Sequence, residues 1–343
     1  MNLHDPKFKG FALVQEMMET PGIVGRFDVR QGAQAAEAIK PCTKLFLTGE
    51  GSSRIFPAKN LICQCLETGA PLGVFTEGAR QAHACRLSDF AVFGASNSGK
   101  TKEVISLFTQ LAGQGHQRRF GLTANHGTPL EGLSHRCYVL SCGKENAVAA
   151  TKSVVEQALF YRSILCPFEA GASPFVANQA EAARQAQQVL QTDLDPAIVQ
   201  RIAAAPVIYF AGRNNGVAEE LTLKTNEITH KKSDFLEGTY AVHGIEEVMR
   251  PDEVVIVIDP FPEEEQKFKE VLQSGVGMGV IAVSSRPTLF PTISIPQVEG
   301  YETVLQLLAG WNILVHVGVA LGINLDKAER ARKIGNEFVA AAR

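Results

Sequence analysis

Short apolar runs alternate with stretches of helical spacing along the chain. The apolar runs of the first half are rich in Val, Leu and Phe and mostly end at Gly, Ser or Asn; they cover residues 44–51, 70–78, 89–96, 118–125 and 135–142. Helical periodicity separates them, at residues 55–66, 102–111 and 153–165. This alternation predicts an α/β fold in which helices cover both faces of a parallel sheet.

The same pattern begins again in the second half of the chain. Three apolar runs correspond in order to runs of the first half: 205–216 to 44–51, 252–260 to 89–96, and 278–285 to 118–125. A last strand at 292–297 and a helix at 302–321 complete this half. The correspondence predicts a structural duplication, although few residues are identical between the halves.

Length supports a division into two domains, because 343 residues exceed what one hydrophobic core usually organises. An Ala- and Gln-rich segment with helical spacing lies between the two halves and predicts a connecting helix. We therefore expect four parts: an N-terminal helical segment (1–28), a first domain (29–168), the connecting helix (169–203), and a second domain with a C-terminal tail (204–343).

Composition narrows the function classes. The chain is 45% hydrophobic and 20% charged, and its formal net charge of −3 gives no basic footprint for nucleic acid. Neither a signal peptide nor an apolar run close to the roughly 18 residues of a membrane-spanning helix is expected, and no membrane partner is predicted.

Seven cysteines without regular spacing favour reduced thiols in a cytoplasmic protein. Cys63 and Cys65 favour apolar packing over zinc, so no metal is expected.

Two polar loops follow predicted strands and open predicted helices, at residues 49–53 and 96–101. Ligands of open α/β sheets bind at the carboxyl ends of the strands, and N–H groups at a helix start cradle phosphate together with hydroxyls. Ordinary N-capping is the alternative reading of either loop alone. Neither loop is a Walker A or GxGxxG sequence, so the pair favours a small phosphorylated molecule over a nucleotide.

These loops, the tandem halves, the stretch GKENAVAATKSVVEQ (143–157) and the later LKTNEITH…HG pattern resemble the sugar isomerase (SIS) family. The likeness is strongest to the isomerase portion of the glucosamine-6-phosphate synthases and covers nearly the whole chain. It implies two tandem SIS-type domains, each a flavodoxin-like, doubly wound parallel sheet. It also implies a phosphate-binding role for the hydroxyl loops, at Ser52, Ser53, Ser96, Asn97, Ser98 and Thr101.

The resemblance places the chemistry on four further residues. Glu227, in a Lys-x-x-Glu pattern with Lys224, matches the family's catalytic base, and His243 matches a ring-opening histidine supplied to the neighbouring subunit. Lys333 in the C-terminal tail matches a lysine that reaches over the substrate. Lys224 and Glu227 lie on one helical face, so the lysine can orient the carboxylate. A base that removes a proton next to a carbonyl group needs such an orientation. A helix salt bridge and an ordinary loop histidine are the alternatives to these roles.

Three other residues are weaker candidates for the site. His230 follows Glu227 at i+3 and is the second choice for acid–base work. Glu145 and Val148 match positions of the family's TE-x-x-VA-x-TK stretch.

The chain also departs from the family pattern. The synthases carry a glutaminase that this sequence lacks, so amination driven by glutamine is not expected. The acid and the proline that flank the family histidine are replaced, and Ala150 stands where the synthases have serine. We therefore expect an enzyme without metal or cofactor that opens a hexose 6-phosphate or its amino derivative and moves a proton between C1 and C2. Deglycation or deamination is the favoured reaction.

Two alternatives remain open at the level of sequence. A plain aldose–ketose isomerase would use the same proton transfer. A sensor that only binds a sugar phosphate would need the hydroxyl loops and would have no use for Glu227, Lys224 and His243. The expected partners are a small sugar phosphate and further copies of this chain, in at least a homodimer, because the resemblance shares the histidine between subunits.

Overall fold

The computed structural model describes residues 1–40, 42–169, 171–330 and 337–338. Ten strands occur in this part of the chain: β1 Lys44–Gly49, β2 Gly73–Gly78, β3 Ala91–Ala95, β4 Arg119–Thr123, β5 Arg136–Val139, β6 Val207–Gly212, β7 Lys232–Glu237, β8 Val254–Ile258, β9 Gly279–Ser284 and β10 Thr292–Ser294. They form two separate five-stranded sheets.

The helices in the described residues are α1 Pro6–Lys9, α2 Ala12–Arg26, α3 Arg30–Ile39, α4 Ile55–Thr68, α5 Ala79–Ala82, α6 Lys102–Gly113, α7 Pro129–Leu133, α8 Lys152–Leu165, α9 Pro174–Ala177, α10 Gln179–Gln191, α11 Pro196–Ala204, α12 Val217–Thr229, α13 Glu265–Phe268 and α14 Glu302–Ala320. A π-helical stretch, Lys269–Val276, continues α13. Short 3₁₀ turns include Gly51–Ser53, Tyr240–Val242 and Ile245–Val248.

The chain folds into two compact units, each assembled from separate segments. We call them the first-sheet unit and the second-sheet unit, after the sheets that they contain. The first-sheet unit comprises Arg26–Glu145, Ala150–Ala177 and the described residues of Glu329–Arg343. The second-sheet unit comprises Met1–Gly25, Asn146–Ala149 and Asn178–Ala328. The units therefore interleave along the sequence, whereas the expected domains follow one another.

The first sheet is parallel, with strand order β2-β1-β3-β4-β5. Its central strands β1 and β3 are buried runs, as expected for strands covered by helices on both faces. Phe46, Val92 and Phe108 belong to the hydrophobic cluster that packs against this sheet. The order reverses between β1 and β3, which makes that position the topological switch point of a flavodoxin-like fold.

The second sheet has the same topology. Its order, read from the other edge, is β7-β6-β8-β9-β10, and all its pairings are parallel. Strands β6, β8 and β9 thus take the places of β1, β3 and β4, as the repeated pattern predicted. The doubly wound α/β fold with two tandem sheets is confirmed. β7 was not predicted, because most of this edge strand alternates between exposed and half-buried residues and forms no apolar run.

The segment 169–203 is not one connecting helix. It contains the short α9 and the longer α10 and α11. Pro196 begins α11 after Asp195, whose carboxylate accepts a hydrogen bond from the N–H of Ala197. A proline fits the first turn of a helix and cannot continue one, so the chain is divided here.

The helix α14 corrects the expectation that no apolar run approaches membrane-spanning length. Over the described residues, it is the one helix long and apolar enough to pass that test, at 19 residues and a mean hydropathy of 1.5. However, 78% of its apolar window is buried within the structure. A close approach at Gly310, where a Cβ would lie 2.3 Å from the Leu221 side chain, packs α14 against α12. The helix therefore serves as a core helix of its unit.

Candidate functional site

The two hydroxyl loops of the first-sheet unit meet at its switch point. The loop 49–53 begins at the last residue of β1, the loop 96–101 follows β3, and these strands are hydrogen-bonded neighbours. A Cβ on Gly49 would lie only 3.0 Å from the Ala95 carbonyl oxygen and 3.1 Å from that of Ser53. Glycine therefore permits the loops to approach closely at the carboxyl edge of the sheet.

Hydroxyl groups organise the second loop from within. The Ser96 and Thr101 hydroxyls lie 2.8 Å apart, and Ser96 Oγ also accepts a hydrogen bond from the N–H of Thr101. Ser98 Oγ accepts from the N–H of Lys100. Thr101 is the N-cap of α6 and makes no side-chain capping bond. The first N–H groups of a helix lack partners within it, so this end of α6 can bind an anion.

Gly99 fixes the shape of the same loop. Its φ of +66° lies in the left-handed region, which favours glycine, and a Cβ there would lie 2.4 Å from Thr128 Cβ. The Gly99 carbonyl also accepts a hydrogen bond from the N–H of Leu130 in α7. The loop is thus held against the start of α7.

Glu145 is a buried carboxylate that holds the second loop by hydrogen bonds. Its two oxygens accept hydrogen bonds from Asn97 Nδ2 at 2.6 Å, from the Ser153 hydroxyl at 2.6 Å and from the N–H of Thr151 at 2.7 Å. Thr151 and Ser153 lie at the start of α8, so the acid also compensates the positive end of that helix. These contacts give Glu145 a role in holding the loop.

Asn97 is fixed at both its backbone and its side chain. Its carbonyl oxygen accepts from Thr123 Oγ1, Asn125 Nδ2 and the N–H of Ala124. One N–H of its amide Nδ2 donates to Glu145. The phosphate contact expected of Asn97 stays a prediction, and the observed bonds indicate that it shapes the loop.

Two acidic side chains, Glu50 and Glu103, interact near the loops. Partial desolvation of the Glu50 carboxyl raises its pKa, the N–H of Arg80 lowers it, and the negative charge of Glu103 raises it further. In the described part of the tail, Glu337 forms an antiparallel bridge with Thr101, and the N–H of Phe338 donates to the Lys100 carbonyl. The C-terminal tail therefore contacts the second loop. Lys333 lies outside the described residues.

In the second-sheet unit, Lys224 lies between two carboxylates on α12. Its Nζ is 2.7 Å from Glu227 Oε2 and 3.4 Å from Glu220 Oε1. The side chains of Lys224 and Glu220 have no exposed surface, whereas 29% of the Glu227 side chain is exposed. A buried ammonium requires such partners. The structure therefore presents one accessible carboxylate, oriented by a buried lysine.

His243 lies on the surface after the Tyr240–Val242 turn of the second-sheet unit. Its Nε2 is 3.4 Å from Lys267 Nζ on α13. An ammonium can only donate, so this contact is favourable when Nε2 carries no proton.

His230 does not share the helical face of Glu227. The helix α12 ends at Thr229, and His230 adopts a left-handed conformation with φ of +53°. It lines a surface cavity of about 590 Å³ beside the amino ends of β6 and β7. Ligands of such sheets usually bind at the opposite, carboxyl edge. The acid–base role expected of His230 stays a prediction.

Val148 belongs to the second-sheet unit, where its N–H donates to the Asp326 carbonyl. The residues before it are held by Glu16, whose carboxylate accepts from the N–H of Asn146. No group of three or more potential metal ligands occurs in the ranges that the structure describes.

Sequence reasoning did not single out Glu220, a buried acid that the structure places beside Lys224. The signal was present, because Glu220 and Lys224 are separated by four residues and so face each other on a helix.

The fold defined by the two sheets is that of the phosphosugar isomerases. No protein-family model matches the chain, and no curated protein matches it. Solved structures do, along nearly the whole chain. A candidate phosphosugar isomerase from Silicibacter pomeroyi has a TM-score of 0.77 at 21% identity and covers 92% of this chain and 100% of its own.

Two further solved structures are similar to this chain. The C-terminal domain of glucosamine-fructose-6-phosphate aminotransferase from Francisella tularensis has a TM-score of 0.75 at 17% identity, covering 92% of this chain and 98% of its own. Tagatose-6-phosphate ketose/aldose isomerase from Escherichia coli has a TM-score of 0.75 at 18% identity, covering 94% and 97%. The SIS-type fold that the sequence resemblance implied is confirmed.

Proposed function

We propose that this chain is an enzyme that processes a hexose 6-phosphate or its amino derivative. The observation that carries the proposal is Glu227, a partly exposed carboxylate held at 2.7 Å by a fully buried lysine in a chain with the phosphosugar isomerase fold. A module that only binds ligand has no need of a buried ion pair that orients an accessible base. The hydroxyl loops at the first switch point support the phosphate part of the proposal.

The proposed mechanism assigns one task to each group. Hydroxyl and N–H groups of the loops 49–53 and 96–101 hold the sugar phosphate. His243 of a neighbouring copy opens the sugar ring, since imidazole can both donate and accept a proton near neutral pH. Glu227 moves a proton between C1 and C2, and Lys224 and Lys333 stabilise the negative charge that develops on the substrate.

We favour breakage of a C–N bond over plain isomerisation. With a ketosamine 6-phosphate, Glu227 would remove a proton from C1 and return it to C2, while the C2 carbonyl oxygen gains the proton that the amine nitrogen loses. The result is a hydroxyl at C2 and an imine at C1. Water then adds to this imine, releasing the free amine and an aldose 6-phosphate. Replacement of the acid and proline beside His243, and alanine at Ala150, support a change at the amino-bearing end of the substrate.

The second candidate is an aldose–ketose isomerase. A tagatose-6-phosphate isomerase and a glucosamine-6-phosphate deaminase from Thermotoga maritima both have this fold. The proton transfer is common to both reactions, so only the products distinguish them.

The test is to incubate the purified protein with fructosamine 6-phosphates, glucosamine 6-phosphate and fructose 6-phosphate. Release of amine or ammonia supports the favoured reaction, and sugar interconversion alone supports the isomerase. Glu227→Gln should abolish turnover while the phosphate still binds, and Glu219→Gln on the same helix serves as the matched control. Binding of all three sugars without any turnover would reject the enzyme in favour of a sensor.

A further inference from the structure

The second-sheet unit contains a surface cavity that the proposed mechanism does not use. Its volume of about 590 Å³ lies within the range of small-molecule sites. The cavity lies where three neighbouring strands begin. Val207 is the first residue of β6, Lys232 is the first of β7, and Glu253 immediately precedes β8. Residues from separate parts of the chain therefore meet at the amino edge of this sheet.

The cavity combines one buried acid with several basic side chains. Only 5% of Glu253 is exposed. The basic residues that line the cavity are nearer the surface: His230, Lys231, Lys232 and Arg250. The side chains of Lys232 and Arg250 make no hydrogen bond or ion pair with any residue in the described part of the chain. The acid and the bases thus line one cavity without forming an ion pair among themselves.

Glu253 also closes the turn before β8. Its N–H donates to the Arg250 carbonyl, and its Oε2 accepts from the N–H of Arg250 at 2.9 Å and from the Tyr209 hydroxyl at 3.2 Å. Burial, followed by the negative charge of Glu253, raises the pKa of Tyr209 to about 12, so the phenol stays protonated and donates. Within the residues that the structure describes, nothing donates to Glu253 Oε1. The turn therefore accounts for one carboxylate oxygen and leaves the other free for a ligand.

The end of α12 explains part of the basic charge. This helix ends at Thr229, and cations near the C-terminus of a helix compensate its dipole. Lys231 follows the helix, and its Nζ donates to the Ala205 carbonyl at 2.7 Å. Arg250 lies on the turn before β8, so the helix end does not account for it. A purely structural role therefore leaves Arg250 and Glu253 Oε1 unexplained.

A basic cavity of the first-sheet unit lacks these features. It measures about 330 Å³, and Arg118, His135 and Arg136 contribute to its lining. Arg118 donates to the Ser88 carbonyl, and Arg136 donates to Gln34 Oε1. These guanidinium groups are thus used within the protein, and no acid lines that cavity. The combination of an acid with unpaired cations distinguishes the cavity of the second-sheet unit.

We propose that this cavity binds a small amine that also carries two negative charges, either a dicarboxylic amino acid or a phosphorylated amine. The ammonium would donate to Glu253 Oε1, and the anionic part would lie against Lys232 and Arg250. Without counting His230, three lysine and arginine charges and one glutamate charge give the cavity a net charge of +2. A ligand with one ammonium and two negative charges complements it.

The binding test uses two amines and two matched compounds that lack the ammonium. The amines are L-glutamate and O-phosphoethanolamine, and the matched compounds are glutarate and ethyl phosphate. The readout is NMR of valine methyl groups, because Val207 and Val248 line the cavity, and Val207→Ala and Val248→Ala assign them. At least one amine should shift both methyl resonances and bind about tenfold or more tightly than its matched compound. The amine that binds more tightly identifies the anionic group.

Two substitutions separate the parts of the site. Glu253→Gln should remove the preference for each amine over its matched compound, whereas Asp252→Asn, at an exposed neighbouring acid, should keep it. Arg250→Gln should weaken the amine and its matched compound alike, and Lys269→Gln, at an exposed lysine outside the cavity lining, serves as its control. If Glu253→Gln does not fold, Arg250→Gln still tests the site, because it leaves the N–H of residue 250 bonded to Glu253.

Three results would overturn the proposal. Glutarate and ethyl phosphate binding as tightly as the amines would leave only a general attraction for anions. An unchanged preference in Glu253→Gln would remove the role of the acid. Unshifted Val207 and Val248 methyl resonances with all four compounds at millimolar concentration would remove the site. None of these measurements needs turnover, so failure of this site is distinguishable from failure of the proposed function.

Discussion

Gly99→Ala should damage the second hydroxyl loop more than an ordinary glycine substitution would. The residue has a left-handed φ of +66°, and a new Cβ would lie 2.4 to 2.6 Å from three side-chain atoms of Thr128. Gly115 provides a matched control in the same unit, because its φ is +72° and nothing lies within 4 Å of an added Cβ. The two substitutions share the backbone cost and differ in the steric overlap.

The expected magnitudes follow from these two contributions. A left-handed conformation costs a residue with a Cβ about 1–2 kcal/mol, which Gly115→Ala should show alone. Overlap in a packed site adds about 1–3 kcal/mol, so Gly99→Ala should lose about 2–5 kcal/mol in total. Relief of the overlap moves either the loop or Thr128. The expected consequence is weaker binding of a sugar 6-phosphate by Gly99→Ala only.

Denaturant unfolding and calorimetric titration with fructose 6-phosphate measure the two effects. Thr128→Gly removes the overlapping atoms, and glycine is tolerated at the N-cap position that Thr128 occupies. The double variant should therefore recover most of the stability that separates Gly99→Ala from Gly115→Ala. Equal losses in the two single variants, or normal phosphate binding by Gly99→Ala, would refute the reasoning.

Two more predictions concern acids near the loops. Glu145→Ala removes the acceptor of Asn97 and of the α8 start, so it should cost about 2–4 kcal/mol in denaturant unfolding and weaken phosphate binding; retention of both would contradict the loop-holding role. Glu50 has a raised pKa, and its charge opposes a bound anion at high pH. Glu50→Gln should therefore bind phosphosugar more tightly than the wild type above that pKa, and the difference should close as the pH falls through it. Calorimetry across pH measures this difference, since the phosphate's own titration is common to both proteins; a gap that is constant with pH would count against the interpretation.

The fold was predictable where burial is regular. The central strands β1, β3, β6 and β8 are apolar runs that end in polar loops, and such runs are typical of sheets covered on both faces. The edge strand β7 escaped prediction because Lys232, Ser233 and Asp234 resemble a loop when read locally. The periodicity of a sequence does not show which strands are hydrogen-bonded to each other or which segments fold together. The interleaved units could therefore be identified only from the structure.

The candidate site was predictable to the extent that its contacts are local. Lys224 and Glu227 are three residues apart, so helical geometry alone brings them together. The link between Asn97 and Glu145 spans 48 residues and depends on the packed sheet. His230 was misplaced because the spacing rule assumes a continuing helix, whereas α12 ends one residue earlier.

The central claim of the proposed function is that the Glu227 carboxylate moves a proton on a phosphosugar. Its most direct measurement is the transfer of solvent deuterium into C1 or C2 of a hexose 6-phosphate or amino-hexose 6-phosphate, followed by NMR in D₂O. The account predicts incorporation by the wild type and by Glu219→Gln, and none by Glu227→Gln. Incorporation by Glu227→Gln at the wild-type rate, or none by a wild-type protein saturated with each sugar, would contradict it.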